Sequence, residues 1–403
     1  MDRHSPAETI KTDDCSIVFR RVAGPEADEL FAVCHPVPRT KDPRRQTDKL
    51  YRAMLGVLAA EGASFESVVS ETLFLRNLRA DLEVVRAARA RVLEEAESEP
   101  CRPATIEIEQ PPLEEGGRLA VSVHAVIPRS GEPRVTQLRA TPACDCSECA
   151  RSYARLVHLG DETRFHAGNL YGSGVDPFEE TLAMFQAAED LLRKAGMGFR
   201  EVVRTWIHLR DIDRDYADLN RARREFFRQR GIDPSPASTG IGGGPVPDGH
   251  DLCLSVHAVQ APQPPAVAVM SAPTLNDAAL YGSDFTRGMK VVEANKTALH
   301  VSGTASIDEA GRTVHPGDVE AQTARMLVNL SSLLAGQDAS FGDVVSAITY
   351  VKRPEDAPIV RAMFCERGFE GFPNVLVAAP ICRPDLLCET EALAVLPRTS
   401  SHS

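Results

Sequence analysis

Three copies of one pattern determine the fold of this chain: Gly62–Asn77 (GASFESVVSETLFLRN), Gly196–Asp211 (GMGFREVVRTWIHLRD) and Asp338–Arg353 (DASFGDVVSAITYVKR). Each copy begins with a small-residue turn, which is followed by an aromatic residue and two valines at matching positions. The apolar residues after the valines alternate with polar ones, and this period of two predicts a strand with one buried face. Similarity at a regular distance along a chain indicates tandem structural repeats.

The sequence around each copy is also repeated. An amphipathic helix is predicted upstream; in the middle copy it spans Thr181–Lys194, with apolar residues spaced for one face. A second helix follows the strand. Each copy then ends in a further strand, and the three closing strands are Leu119–Val126 (LAVSVHAV), Leu252–Val259 (LCLSVHAV) and Leu386–Leu393 (LLCETEAL).

These elements predict three α+β units, each a sheet with two helices on one face. We place the units at residues 14–128, 143–260 and 274–397, with linkers between them. The uncovered face of each sheet must also be buried, so the three units are expected to pack against each other as an intramolecular pseudotrimer. The sequence leaves open whether such molecules assemble further.

The composition of the chain indicates which classes of binding partner and which cellular compartment to expect. The 403 residues carry a formal net charge of −12, which argues against a nucleic-acid-binding surface. No apolar run has the length of a membrane helix, and the polar start of the chain lacks the apolar core of a signal peptide. Ten cysteines are too few for a disulfide scaffold and are expected to be reduced thiols, which favours a cytoplasmic protein with neither nucleic-acid nor membrane partners.

Three cysteines, Cys144, Cys146 and Cys149, lie close together in the sequence. A structural zinc site needs a fourth ligand, and this segment offers none at a standard spacing. His158 and His166 are only distant candidates. The sequence therefore favours a thiol-rich loop, and it predicts no metal and no organic cofactor.

The third unit resembles the RidA/YjgF superfamily over nearly its whole length. The matching words are Val301–Asp308 (VSGTASID), Gly317–Thr323 (GDVEAQT), Ala339–Val345 (ASFGDVV) and Glu389–Ala394 (ETEALA). The resemblance implies the chorismate-mutase-like fold of that superfamily. It also implies sites in clefts between units, because the members are usually homotrimers.

The second and third units together resemble the chorismatases, which hydrolyse the enolpyruvyl ether of chorismate. The words that carry this resemblance are Arg204-Thr205-Trp206, Pro236–Gly243 (PASTGIGG) and Cys382–Glu389 (CRPDLLCE). The additional first unit departs from the usual two-unit chorismatase. The resemblance implies a small anionic metabolite as substrate and a catalytic glutamate at Glu389, preceded by a cysteine at Cys382.

Alignment of the closing strands also selects Glu389. Only the third unit has carboxylates at the aligned positions, Glu389 and Glu391, where the other units have Ser and His. Apolar neighbours tend to raise the pKa of a carboxyl group, and a protonated carboxylic acid near neutral pH is what a general acid requires. Glu391 is the weaker candidate.

In RidA-type deaminases an arginine fifteen residues before the glutamate binds the substrate carboxylate. Counting back gives Asn374, and alignment on the family's Pro-Ala-Arg word gives Val375 instead. Neither side chain offers the charged fork of arginine.

The predicted site therefore has two catalytic residues and seven substrate-binding residues. Glu389 protonates carbon, and Cys382 lines the pocket or positions water. The predicted substrate-binding residues are Arg204, Ala237, Thr239, Gly240, Gly242, Asn374 and Arg383. Two alternatives stay open: a RidA-type enamine or imine deaminase, and a metabolite-binding regulatory protein without catalysis.

Overall fold

A computed structural model describes residues 4–37, 40–96, 102–130, 134–246, 248–263, 265–276, 284–294 and 296–397. Three units follow one another along the chain with the same order of elements. The first comprises β1 (Glu8–Lys11), β2 (Cys15–Val22), β3 (Ala27–Pro36), α1 (Pro43–Ala60), β4 (Val68–Leu75), α2 (Leu78–Glu95), β5 (Ala104–Glu109) and β6 (Leu119–Pro128). The second comprises β7 (Arg134–Arg139), β8 (Tyr153–Leu159), β9 (Glu162–Leu170), α3 (Pro177–Lys194), β10 (Val202–Leu209), α4 (Ile212–Arg230), β11 (Ala237–Gly242) and β12 (Leu252–Gln260). The third comprises β13 (Ala266–Val269), β14 (Gly288–Val292), β15 (Lys296–Ala305), α5 (Val319–Ala335), β16 (Val344–Val351), α6 (Ala357–Arg367), β17 (Asn374–Ala378) and β18 (Cys388–Pro397).

The three sheets share one topology, which confirms the tandem α+β repeats. Their strand orders are β1-β2-β3-β6-β4-β5, β7-β8-β9-β12-β10-β11 and β13-β14-β15-β18-β16-β17. In each sheet the closing strand lies at the centre and pairs antiparallel with both neighbours. The residues of β18 are therefore held rigidly in the middle of the third sheet.

The repeated sequence pattern forms the same local structure in each unit. Its aromatic residue begins a short 3-10 turn that leads directly into a strand, β4, β10 or β16. An acidic N-cap starts the helix upstream in each case: Asp42, Asp176 and Asp318 accept a hydrogen bond from a backbone N–H of the first turn. Such caps satisfy a donor that the helix itself leaves unpaired.

Each unit buries an apolar core between its helices and its sheet. The opposite sheet faces meet in a shared cluster of charged and imidazole side chains. Arg164 of β9 is 1% exposed and contacts Glu29 of the first unit at 2.7 Å, Glu162 of its own unit at 2.8 Å and Glu293 of the third unit at 2.8 Å. Lys296 also contacts Glu29. Burial opposes the ionisation of Glu29, but the charges of Lys296 and Arg164 hold its pKa well below the usual range.

Each sheet begins earlier than the predicted unit boundary. The strands β1, β7 and β13 lie upstream of residues 14, 143 and 274, in segments that the sequence assigned to linkers or to the start of the chain. Two of them, β1 and β13, are exposed along their whole length. An exposed edge strand shows little apolar alternation, so the sequence pattern does not reveal it. Among the described helices, none combines the length and hydropathy of a membrane span.

Candidate active site

A cavity of about 670 Å³ lies between the second and third units. Its walls come from α4 and β11 on one side, and from β15, the loop before β14 and the loop before β18 on the other. The side chains and glycines that line it are Tyr216, Ala217, Asn220, Arg221, Arg223, Arg224, Ser238, Thr239, Gly240, Phe285, Arg287, Gly303, Ala305, Ile307, Cys382, Arg383, Leu386 and Glu389. Five of the predicted site residues are among them.

Glu389 is the carboxylate of this cavity. It is the second residue of β18, pairs with Tyr350 of β16 and Ala305 of β15, and is only 4% exposed. Burial, together with the charge of nearby Glu391, raises the pKa of Glu389 to about 8, although Arg287, Arg204 and Arg383 pull it down. This direction agrees with the expectation from the apolar neighbours in the sequence. A carboxyl group with this pKa is largely protonated at neutral pH and can act as an acid.

A glycine makes room for the glutamate. A Cβ atom at Gly303 of β15 would overlap Oε1 of Glu389, so any side chain there would displace the carboxyl group. The register of β15 against β18 shifts between Val301 and Thr304, which indicates an irregularity in the strand at this point. The backbone N–H of Gly303 donates to Oγ1 of Thr239 at 3.0 Å, which ties the third unit to β11 of the second.

Cys382, to which the family resemblance gave a pocket-wall or water-positioning role, lines the same cavity as Glu389. It is in contact with the Tyr216 side chain of α4, and burial together with the charge of Glu389 raises the pKa of its thiol to about 12. A thiol with this pKa is protonated near neutral pH and is therefore a poor nucleophile. The structure favours the pocket-wall role over covalent catalysis.

Guanidinium groups surround the rest of the cavity. Arg223 of α4 is 2% exposed and donates to Oδ1 of Asn220 at 2.6 Å, while Arg287 is 5% exposed and donates to the carbonyl of Asn276 at 3.0 Å. Both guanidinium groups lie 5.5 Å from the centre of the Phe285 ring. Arg383 donates to the carbonyl of Gly311 at 2.7 Å. Such fixed guanidinium groups favour binding of a carboxylate.

Arg204, which was predicted to bind substrate, does not line this cavity. Its guanidinium group donates to Oγ1 of Thr239 at 2.6 Å and to Oε2 of Glu391 at 2.9 Å. Trp206 also donates to Glu391, at 2.6 Å. These contacts join the second and third units behind the cavity wall, and they occupy Glu391 as a structural carboxylate. Arg204 therefore contacts the lining residue Thr239 without lining this cavity itself.

Three further predicted binding residues lie outside the cavity walls. Asn374, at the start of β17, accepts a hydrogen bond from Oγ1 of Thr349 at 3.1 Å. Gly242 packs against Pro380, and its N–H donates to the Pro380 carbonyl at 2.8 Å. Ala237 is fully buried next to the lining residue Ser238. Of the segment Pro236–Gly243, the residues that face the cavity are Ser238, Thr239 and Gly240.

The lining residues from α4 and from the loop before β14 were not predicted from the sequence. Tyr216, Asn220 and Arg223 recur at helical spacing, so a polar stripe on α4 was the available signal. Arg287 carries no such pattern. Its contribution depends on the way in which the third unit packs on the second. Of the described residues, those that cluster with metal-ligand spacing form two groups, and both lie outside this cavity.

Comparison with known proteins agrees with this architecture. The family model described as Endoribonuclease L-PSP matches residues 285–396. A 3-hydroxybenzoate synthase from Streptomyces hygroscopicus is 30% identical over 245 residues, which cover 54% of this chain and 69% of that protein. A chorismatase from Streptomyces rapamycinicus is 28% identical over 261 residues, which cover 59% of this chain and 74% of that protein.

A crystal structure of a chorismatase has the same fold, with a TM-score of 0.58 at 20% identity over 82% of this chain and 93% of the other. Three sheets of one topology, a cavity between the second and third units, and these relatives lead to one assignment. The chain belongs to the family of the 3-hydroxybenzoate synthase and chorismatase relatives, within the RidA/YjgF superfamily.

Proposed function

We propose that the protein cleaves the enol ether of chorismate or of a closely similar carboxylate, with Glu389 as the acid. The observation that carries this proposal is the position of Glu389, a buried carboxyl group of raised pKa at the wall of a cavity rimmed by arginines. Chorismate carries two carboxylates, and the guanidinium groups of Arg223, Arg287 and Arg383 match this charge. The names of the relatives support the same substrate class.

The proposed reaction begins with proton transfer from Glu389 to the methylene carbon of the enolpyruvyl group. The electron pair of the double bond forms the new C–H bond, and the ether oxygen shares its electrons with the adjacent carbon to give an oxocarbenium ion. Water adds to that carbon, and its proton returns to the Glu389 carboxylate. The resulting hemiketal then breaks its bond to the ring oxygen while its hydroxyl proton passes to that oxygen, so that one substrate and one water yield pyruvate and a ring alcohol.

The surroundings of Glu389 favour both proton transfers of the proposed reaction, the one from Glu389 to carbon and the one from water back to Glu389. A pKa of about 8 makes the group an acid before the transfer, and the same value makes it a competent base for water afterwards. Burial excludes bulk water from the short-lived cation. Cys382 and Tyr216 supply a neutral wall beside the reacting carbon, since both are protonated at neutral pH.

The name of one relative suggests a second product. If no water is added, the bond between the ring carbon and the ether oxygen breaks, pyruvate leaves with that oxygen, and a ring proton passes to the Glu389 carboxylate, so that an aromatic hydroxybenzoate remains with no net consumption of water. Both outcomes begin with the same protonation by Glu389. The deaminase alternative has less support, because Asn374 takes the place of the carboxylate-binding arginine and lies outside the cavity.

The substrate assignment is tested by incubating the purified protein with chorismate and following pyruvate by a coupled assay. Chromatography of the ring product separates the dihydroxy acid from the hydroxybenzoate. Release of pyruvate with either ring product supports the proposal. Absence of pyruvate, with ammonia released from aminoacrylate, would replace it with the deaminase.

The anion-binding part is tested by two arginine variants of the same helix. Arg223→Gln removes a charge that faces the cavity, whereas Arg228→Gln removes one that pairs with Glu225 on the exposed face of α4. We expect KM for chorismate to rise roughly 10–100-fold in the first variant, as for loss of a charged hydrogen bond, and to stay unchanged in the second. Equal KM values for Arg223→Gln and the parent protein would remove Arg223 from the binding site.

We further propose that one chain suffices for activity as an internal pseudotrimer, in a reducing, cytoplasmic environment. Both walls of the cavity come from the same chain, and each of the nine cysteines in the described ranges is a free thiol. Specific activity should therefore be independent of protein concentration, and light scattering gives the mass for comparison. A loss of specific activity on dilution would show that chains must associate.

A further inference from the structure

The cysteine cluster acquires a fourth candidate ligand from a distant part of the chain. Cys144, Cys146 and Cys149 lie in the segment between β7 and β8, and His250 lies just before β12. The four ligand atoms, three Sγ and one Nε2, all lie within 4.8 Å of one another. From the sequence, only His158 and His166 were candidates for the fourth ligand, because the contact with His250 forms only when the chain folds.

The distances match those of a tetrahedral site. Sγ of Cys144 lies 3.5 Å from Sγ of Cys149, and Nε2 of His250 lies 3.5 Å from the first sulfur and 3.3 Å from the second. Zinc bonds of about 2.3 Å to sulfur and about 2.0 Å to nitrogen place tetrahedral ligand atoms about 3.5–3.8 Å apart. One ion at the centre would therefore reach these ligands without a large rearrangement.

The histidine is fixed in the tautomer that a metal requires. Nδ1 of His250 lies 2.7 Å from the carbonyl oxygen of Gly172, and a carbonyl can only accept, so Nδ1 carries the proton. Nε2 then keeps its lone pair, and this lone pair faces the sulfurs. A hydrogen bond from the outer nitrogen of a ligating histidine to a carbonyl is the usual support for a metal ligand. The ring is only 4% exposed and packs against Tyr171.

Backbone groups also support the sulfurs. The N–H of Cys146 donates to Sγ of Cys144 at 3.5 Å, and the N–H of Cys149 donates to Sγ of Cys146 at 3.4 Å. Donation from N–H groups stabilises thiolates, which are the form that binds zinc. Three thiolates and one imidazole are a standard ligand set for a structural zinc ion.

We propose that Cys144, Cys146, Cys149 and His250 bind one structural Zn²⁺ ion. The ion fastens the loop between β7 and β8 onto the loop before β12. The first loop carries Glu148, which contacts Arg86 of α2 at 2.6 Å across the cleft between the first and second units. Glu148 lines a cavity of about 420 Å³ between the first and second units, so zinc at this position fixes a segment in the wall of that cavity.

The second group with metal-ligand spacing does not support a cation in the same way. It comprises His257, Glu293 and His300 in the buried cluster between the sheets. Glu293 already contacts Arg164 at 2.8 Å and Lys296 at 3.7 Å. Two fixed positive charges repel a divalent ion from this carboxylate, whereas the cysteine cluster has no cation among its ligands.

The proposal is tested on the full-length protein, purified under reducing conditions from zinc-supplemented cells. We expect about one zinc per chain by elemental analysis, as for a closed four-ligand site, and its release when a mercurial modifies the thiols. Replacement of zinc by Co²⁺ should give strong visible bands of tetrahedral cobalt together with thiolate charge-transfer absorption in the near ultraviolet. These spectra depend on the parent protein alone, so they stay informative if a variant fails to fold.

Two variants and one control complete the test. Cys149→Ser and His250→Ala should each lose the metal, while Cys365→Ser changes an exposed cysteine of α6 and should keep it. A strong chelator should lower the Tm of the parent protein, because it removes the zinc. The same treatment should leave the Tm of Cys149→Ser unchanged, because this variant holds no zinc. The proposal would be overturned if the purified parent protein contained no zinc and showed no thiolate charge-transfer bands after addition of Co²⁺. A disulfide between Cys144 and Cys149 in protein purified with its other thiols reduced would also overturn it.

Discussion

At the residue scale, the proposed activity depends on one carboxyl group, that of Glu389, and on its neighbours. The sequence predicted Glu389 because carboxylates replace the Ser and His of the other closing strands, and because its neighbours are apolar. It assigned Arg204 to substrate binding and Glu391 as a weaker catalytic candidate, and it could not predict the ion pair between them at 2.9 Å, which joins residues of different units. Their separation in sequence is large, and only the packing of the units brings the two charges together.

Activity should therefore depend on pH through Glu389. The acid form is required, so kcat/KM should be constant at lower pH and fall as the pH rises through about 8, the pKa of this group. The measurement is a pH profile of kcat/KM with chorismate. An unchanged rate well above that pH would contradict the role of the carboxyl group.

Stability provides an independent check of the same pKa. The pKa of Glu389 in the folded protein is raised to about 8 from an ordinary value of 4.5. The contribution of its protonated form to stability is therefore complete below about pH 4.5 and is lost as the pH rises through about 8. Glu389→Gln cannot ionise, so the Tm of the parent protein should fall relative to this variant over that range. Parallel Tm curves would show that the pKa of Glu389 is not raised.

At the scale of elements, the site depends on the irregular pairing of β15 with β18. The repeated strands and helices were predictable, because their apolar periods of two and of 3.6 are local properties of the sequence. The edge strands β1, β7 and β13 were not, because most of their side chains are exposed and their hydrogen-bonding partners lie in other segments. The lining face of α4 was visible as a polar stripe, but its direction toward the cavity was not.

Gly303 tests this element directly. Gly303→Ala should place a methyl group against the Glu389 carboxyl, and a displacement on the scale of 1 Å should lower kcat/KM by roughly 100-fold. Gly56→Ala is a matched control, because Gly56 lies within α1 and a Cβ atom there meets nothing within 4 Å. The control should keep full activity and raise the free energy of unfolding by about 0.5–1 kcal/mol. Full activity in Gly303→Ala would show that the glutamate is not confined by β15.

At the scale of the whole molecule, three units are joined through a buried ionic cluster. The repeat predicted three units whose open sheet faces meet, and the resemblance to a superfamily of homotrimers implied sites in the clefts between them. Neither predicted that the shared interface contains Arg164 with three carboxylates and several histidines. Burial, with the charges of Lys296 and Arg164, lowers the pKa of His257 to about 3, so this imidazole is neutral.

Arg164 should therefore contribute strongly to the stability of the assembly. Arg164→Met removes the one guanidinium group that contacts buried Glu29, Glu162 and Glu293, and we expect the free energy of unfolding to fall by about 3–5 kcal/mol. Arg193→Met breaks surface ion pairs on α3 and should change the free energy of unfolding by less than about 1 kcal/mol. Denaturant unfolding measures both, and a similar small change in the two variants would show that the cluster does not join the units.

The proton that Glu389 gives to carbon can be followed directly. In D₂O the carboxyl group carries deuterium, so early pyruvate formed from chorismate should contain one deuterium in its methyl group by NMR. Glu389→Gln should lower the rate by roughly 10²–10⁴-fold, while Glu370→Gln, a change at an exposed carboxylate, should match the parent protein. Undeuterated pyruvate from the parent protein, or undiminished turnover by Glu389→Gln, would contradict the account.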